Sequence, residues 1–443
     1  MTAQAAPVEI GVIGCGYVFD HYMTTLERHP GIRIAGVADR NGPRAQDVGR
    51  YYGLHVYEDA AALLADPRIT IVANFTSIES HYDVTRAALE AGKHVYSEKP
   101  FTTTMEAAQD LAALAAENGL RLSCAPSNAL SATVQTLWKA VTDGAIGTPR
   151  MIYAEFDDNP VYLLQPETWV SRSGAPWPYL HEYEMGCTWE HVGYHLTWMC
   201  AIFGPVRHVT SFSKATLPDK TDQPLDPADT PDFSVACLDF ESGVVGRITC
   251  SIAAPTDHRM RIIGNRGVLS ADTYRDYTCP VYLEPFTNFS LKARNLRSVR
   301  GNSILQALFG VGGRRVPLTR SPAPGSTETY RPKGSPLSPR SWINRVRAAQ
   351  RGQQDKCIGL AELAAALTEQ RPQFPAPDFT LHLTELTLAI QGAGPEGRSQ
   401  ALTTRFEPLE LPERTRRAGP DYSAYATPAL LPRSLQNLLS RGG

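Results

Sequence analysis

At 443 residues the chain is too long for one compact core and points to two folded units with an extension. Its 42% hydrophobic and 20% charged residues fit a soluble globular protein, and a net charge of −2 argues against a nucleic-acid binder. The stretch Met1 to Pro7 lacks the basic and apolar regions of a signal peptide and no run is long enough to span a bilayer, so a cytoplasmic protein without membrane contact is expected.

Val8 to Ile13 reads as a buried strand and Ile32 to Ala38 as a second, with a helix-like run between them. Gly14 and Gly16 fall at the strand-to-helix junction, and Tyr17 and Val18 open the helix. A dinucleotide pyrophosphate meets free backbone N–H groups and a helix N-terminus at such a turn. Phe19 occupies the position of the third glycine of the usual fingerprint. Asp39 ends the second strand, where a carboxylate accepts the adenosine ribose hydroxyls and favours NAD. Arg40 beside it would pair with a 2′-phosphate, which leaves NADP open.

Apolar strands and amphipathic helices alternate through about the first 130 residues, the pattern of a doubly wound parallel sheet. Asn74-Phe75-Thr76-Ser77 ends one strand, on the side of the sheet where ligands bind. His94 to Tyr96 leads into Glu98-Lys99-Pro100, and Pro100 restricts the backbone of Lys99 so that its ammonium is aimed. Thr103 to Glu106 carries a capping-box pattern. The eight cysteines lack the paired spacings of zinc or redox motifs and are expected as free thiols.

Gly14-Cys15-Gly16, Ala38-Asp39-Arg40, Asn74 to His81, Ala91 to Val95, Glu98-Lys99-Pro100, Asn128 and Asp143 to Gly147 together resemble the Gfo/Idh/MocA family of nicotinamide-dependent sugar and polyol oxidoreductases, over about residues 8 to 270. The resemblance implies cofactor contacts at Gly14, Gly16, Tyr17, Val18, Asp39, Arg40, Asn74, Thr76, His81, Glu98 and Lys99. It also implies a Rossmann domain over 1–127 and an α+β substrate and oligomerisation domain over 128–393, whose open sheet face would build a homodimer or homotetramer. Strand-like runs joined by short turns make that second sheet mainly antiparallel. A basic, loop-rich insertion covers about 285–340, and a Pro- and Arg-rich extension runs from 394 to 443. Arg314 and Arg315 in the insertion would suit a phosphorylated or nucleotide-linked substrate.

Family members carry an aspartate four residues before a histidine on the helix that here reads Cys187 to Trp198. His195 takes the histidine's place and His191 the aspartate's. Spacing of four puts both on one helix face, but Val192 stands where a metalloprotease needs glutamate and two histidines are too few ligands, so no metal is expected. The expected substrate contacts are Asn128, Trp177, Glu190, His191 and His195. The expected catalytic set is His195 as proton acceptor, Lys99 as stabiliser of the charge developing on the hydroxyl oxygen, and His191 orienting the sugar.

These residues predict an NAD(P)-dependent dehydrogenase of a sugar, sugar derivative or cyclitol. Two alternatives remain at this level. One is a redox-neutral lyase, epimerase or glycosidase that uses tightly bound NAD transiently, and the other is a non-enzymatic nicotinamide or sugar sensor.

Overall fold

The computed structural model describes residues 6–319 and 354–426, which build two sheets. The first contains β1 (Val8–Ile13), β2 (Ile32–Ala38), β3 (Ile71–Asn74), β4 (His94–Ser97) and β5 (Leu122–Cys124) in the order β2-β1-β3-β4-β5, all parallel. Helices cover both faces, so β1 and β3 are apolar almost throughout. The strand order reverses between β1 and β3, and the carboxyl ends of these two strands border the crevice in which open α/β sheets bind ligands.

Side-chain caps start the helices around this sheet. Asn41, Asp59 and Thr104 accept the N–H groups of Arg44, Ala62 and Ala107. The last cap falls one residue after the expected Thr103. Met105 is the first helical residue, so Ala107 takes the third helical position and no capping box closes.

The second sheet has nine strands: β6 (Pro149–Asp157), β7 (Val206–Lys214), β8 (Phe233–Phe240), β9 (Val245–Ser251), β10 (Met260–Gly264), β11 (Gly267–Ala271), β12 (Val281–Pro285), β13 (Arg314–Val316) and β14 (Arg398–Ala401). Their order is β13-β12-β11-β10-β6-β9-β8-β7-β14, with β6 and β9 parallel and the other neighbours antiparallel. Ile152, Ala154 and Phe156 of β6 alternate into the core, and the helix Cys187–Phe203 packs over that inner face. Met151 and Val245 are exposed on the other side.

The helix Ile358–Thr368, expected in the second unit, joins the core of the first sheet through Leu360, Leu363 and Ala364. Gly359 permits the approach, since a Cβ there would collide with Ser127 Oγ and Tyr96 Oη. His29 Nε2 lies 2.9 Å from Asp355 and pins the same segment. Beyond β14 the described residues of the extension, up to 426, pack on the second sheet's core, and the fully buried Tyr422 donates from Oη to Pro317 O at 2.6 Å. All eight cysteines are free. Among the described residues no helix is long and apolar enough to cross a membrane.

Candidate active site

The glycine turn is fixed by close approach. Gly14 has φ +102°, and a Cβ on it would meet the Phe75 backbone at 2.5 Å, so a side chain is excluded by conformation and by space. Gly16 faces open space, with nothing within 4 Å of a Cβ. Asp39 holds the turn: its Oδ2 accepts Cys15 N–H at 2.6 Å and its Oδ1 accepts Asn41 N–H at 2.8 Å. Each oxygen retains a lone pair for a ribose hydroxyl. These features fit a dinucleotide, whose pyrophosphate Gly16, Tyr17 and Val18 would hold and whose adenosine ribose Asp39 would hold.

Gly16, Tyr17, Val18, Thr76 and His81 line one wall of a cleft of about 540 Å³. Asn74 lies beneath it, fully buried. It donates to His81 O and Thr85 Oγ1 and accepts from Thr76 Oγ1, so it shapes the loop instead of meeting a ligand. His81 ties two loops, with Nδ1 at 2.7 Å from Pro100 O and Nε2 at 3.2 Å from Thr76 O. Arg40 is exposed at the surface. Its neighbour Arg44 forms a latch instead, donating to Cys15 O at 2.7 Å and to Ser173 O at 2.7 Å and Oγ at 2.5 Å. Ser173 in turn donates from Oγ to Asp20 at 2.7 Å. The latch joins the glycine turn to the second unit.

Alternating charges line the rest of the cleft. Lys99 Nζ pairs with Glu190, His191 Nε2 lies 2.5 Å from Glu182 Oε1, and Arg275 donates to Asp158 at 2.5 Å. Burial opposes the charge on Lys99, but Glu190 foremost, with Glu182 and Glu98, outweighs it and lifts the pKa above the ordinary lysine value. Burial likewise opposes ionisation of Glu182, and His191 more than offsets it, so the carboxyl titrates below its usual range. The His191 ring stacks on Phe156 at 4.4 Å, and its buried Nδ1 has no hydrogen-bond partner among the described residues. Glu98 accepts Tyr22 Oη at 2.8 Å and Lys99 N–H at 3.0 Å.

His195, expected as the proton acceptor, is placed elsewhere. It is fully buried and does not line the cleft; its Nε2 lies 2.7 Å from Glu155 O and its Nδ1 takes the Trp198 indole N–H at 2.8 Å. An indole only donates, so Nδ1 is an acceptor and the ring's single proton sits on Nε2, bonded to the carbonyl. Burial depresses its pKa to about 3. Asn128 is also fully buried away from the cleft, donating to Tyr194 O at 2.6 Å. Trp177 and Glu190 do line the cleft. Arg314 and Arg315 do not line the cleft: they lie on β13, where Arg314 stacks over Tyr425 at 5.0 Å. Residues 320–340 of the basic insertion fall outside the described residues.

Lys356 stands in no recognisable motif. It enters the cleft beside Glu98 at 3.7 Å and donates to Tyr194 Oη at 3.2 Å. Arg275 and Arg44 also carried no motif, though Arg44 stands in the first turn of the helix after Asp39, where a side chain faces back to the glycine turn. Among the described residues no group of three or more His, Cys, Asp or Glu is placed to hold a metal ion.

Residues 8–125 match the description of an oxidoreductase family with an NAD-binding Rossmann fold, and residues 134–270 match the Gfo/Idh/MocA C-terminal domain. The D-apiose dehydrogenase of Paraburkholderia graminis is 28% identical over 167 residues, 36% of this chain and 44% of that protein. The inositol 2-dehydrogenase/D-chiro-inositol 3-dehydrogenase of Lactiplantibacillus plantarum is 27% identical over 187 residues, 41% of this chain and 52% of that one. The chain therefore spans about half the length of these curated relatives. In fold, an NAD-binding oxidoreductase from Klebsiella pneumoniae superposes with a TM-score of 0.65 at 20% identity, covering 90% of this chain and 100% of its own.

Proposed function

The chain belongs to the Gfo/Idh/MocA oxidoreductase family, and from that premise we propose that it is an NAD(P)-dependent dehydrogenase of a sugar, sugar derivative or cyclitol. The apiose and inositol dehydrogenases among its relatives support this substrate class. One observation carries the proposal: Lys99 and the His191–Glu182 pair face the same cleft as the glycine turn.

When bound, the nicotinamide supplies the hydride acceptor or donor. Lys99, held as an ammonium by Glu190, donates to the substrate hydroxyl oxygen and stabilises the charge that develops there. His191 takes the hydroxyl proton. Glu182 Oε1 lies 2.5 Å from Nε2, and its carboxylate stabilises the imidazolium that forms. His191 thus fills the role expected of His195. Asp39 favours NAD over NADP, because a 2′-phosphate beside it would face a carboxylate.

The Arg44–Ser173–Asp20 latch favours a second reading, in which the dinucleotide stays bound and the net reaction is redox-neutral. The outward face of the second sheet, with Met151 and Val245 exposed, is the surface for the expected dimer or tetramer. Native mass spectrometry of the purified protein reports both retained dinucleotide and subunit number. A panel of sugars and cyclitols, followed by absorbance of the reduced nicotinamide, tests the dehydrogenase directly. Lys99→Met and His191→Gln should each lower kcat by roughly 10²- to 10⁴-fold. Wild-type rates in both variants would refute the mechanism.

A further inference from the structure

A second cavity of about 150 Å³ opens from the cleft behind His191. The two spaces share Asp158, Trp169, Trp177, Glu182, His191 and Arg275, which form the throat between them. Past the throat the walls change character. The residues that line only the side cavity are Asn159, Val161, Leu164, Tyr183 and Ile252, and Trp169 and Trp177 lie against each other with centroids 4.8 Å apart.

Size limits the occupant first. A cavity of about 150 Å³ walled by aliphatic and aromatic side chains holds one benzene ring. A nucleotide needs room for a pyrophosphate and a base, so it does not fit. Charge limits it next: Asp158 is paired with Arg275 and Glu182 with His191, so the throat offers no uncompensated cation to a phosphate or carboxylate. Polarity limits it last. A second sugar ring brings several hydroxyls, whereas Asn159 Oδ1 already accepts Thr256 N–H at 3.1 Å. Tyr183 Oη, and at the throat Glu182 Oε1 and His191 Nδ1, are buried without a hydrogen-bond partner among the described residues, which provides for polar substituents on the occupant.

Resting on the dehydrogenase reading, the geometry points to a glycoside as substrate: the sugar ring reacts between Lys99 and His191, and a flat, uncharged six-membered aglycone fills the side cavity. Trp169, Trp177 and Leu164 are its specificity determinants. Stacking on an indole and exclusion of water from an apolar wall are the interactions that select such a ring.

The test is calorimetric titration of the full chain, in the presence of NADH, with matched phenyl and methyl glycosides of glucose, galactose and xylose in both anomers. For at least one sugar the phenyl glycoside should bind about tenfold or more tightly than the methyl one. Leu164→Trp, a change at a rim residue 47% exposed, should fill the cavity and abolish that difference by weakening the phenyl glycoside more than the methyl one. Equal affinities across the panel, equal weakening of both by the variant, or no binding of any glycoside overturns the assignment. Parallel assays of nicotinamide reduction separate the two claims. Phenyl preference without any reduction refutes the dehydrogenase and keeps the cavity; reduction of free sugars without phenyl preference does the reverse.

Discussion

Trp198 Nε1 donates to Nδ1 of His195 at 2.8 Å, and this contact fixes the tautomer of a ring that has no access to the cleft. The imidazole one turn earlier, His191, keeps an unpartnered nitrogen and a carboxylate neighbour.

The two histidines should therefore respond oppositely to substitution. His195→Gln breaks two buried hydrogen bonds and should cost about 1–3 kcal/mol, lowering Tm by several degrees. Its kcat, measured where the variant is folded, should stay within about threefold of wild type, whereas the kcat of folded His191→Gln falls at least about a hundredfold. Thermal melts paired with steady-state kinetics decide this. A stable His195→Gln protein without activity would reverse the assignment.

Acid should destabilise the fold through buried neutral histidines. Burial holds His195 at about 3 and His382 at about 4, and His382 accepts Val206 N–H on Nε2 at 2.9 Å. The unfolded chain takes up these protons below about pH 6.5 and the folded chain does not, so stability present above 6.5 is lost as pH falls. Urea unfolding at pH 7.5 and pH 5 should show a loss of up to about 2 kcal/mol per histidine. A flat profile for wild type would contradict it.

Asp157 should act with the opposite sign. Burial, with Glu155 and Asp257, raises its pKa to about 6, so its ionised form disfavours the fold above that pH. Asp157→Asn should add about 1 kcal/mol at pH 7.5, a figure reduced for solvent screening at a half-exposed group, and nothing at pH 4. Equal gains at both pH values would point to packing instead of charge.

Cofactor choice should depend on Asp39. Wild type should show a KM for NAD at least about tenfold below that for NADP, and Asp39→Ser should narrow the gap by weakening NAD. The same change should lower Tm, because Asp39 also holds Cys15 N–H at 2.6 Å. A variant with unchanged cofactor preference would place the ribose elsewhere.

Retention of the dinucleotide should depend on Arg44. Arg44→Ala removes three hydrogen bonds of the latch, and stopped-flow displacement should record release faster by about tenfold or more. Unaltered release would mean that the latch only fixes the two units together.

The glycine turn, Asp39 and Lys99 were legible in the sequence because each is set by a local pattern: a strand's end, the turn after it, and the residue that blocks further pairing. The choice between His191 and His195 was not. Periodicity gives a helix its phase only when one face is polar, and Cys187–Phe203 is buried on nearly every side, so spacing of four could not say which ring meets the cleft. Folding of β6 decided it, since Glu155 O captures one ring while Phe156 carries the other. Lys356, Arg275 and the side cavity belong to the same class. They exist only where segments remote in sequence meet, and no local propensity records such a meeting.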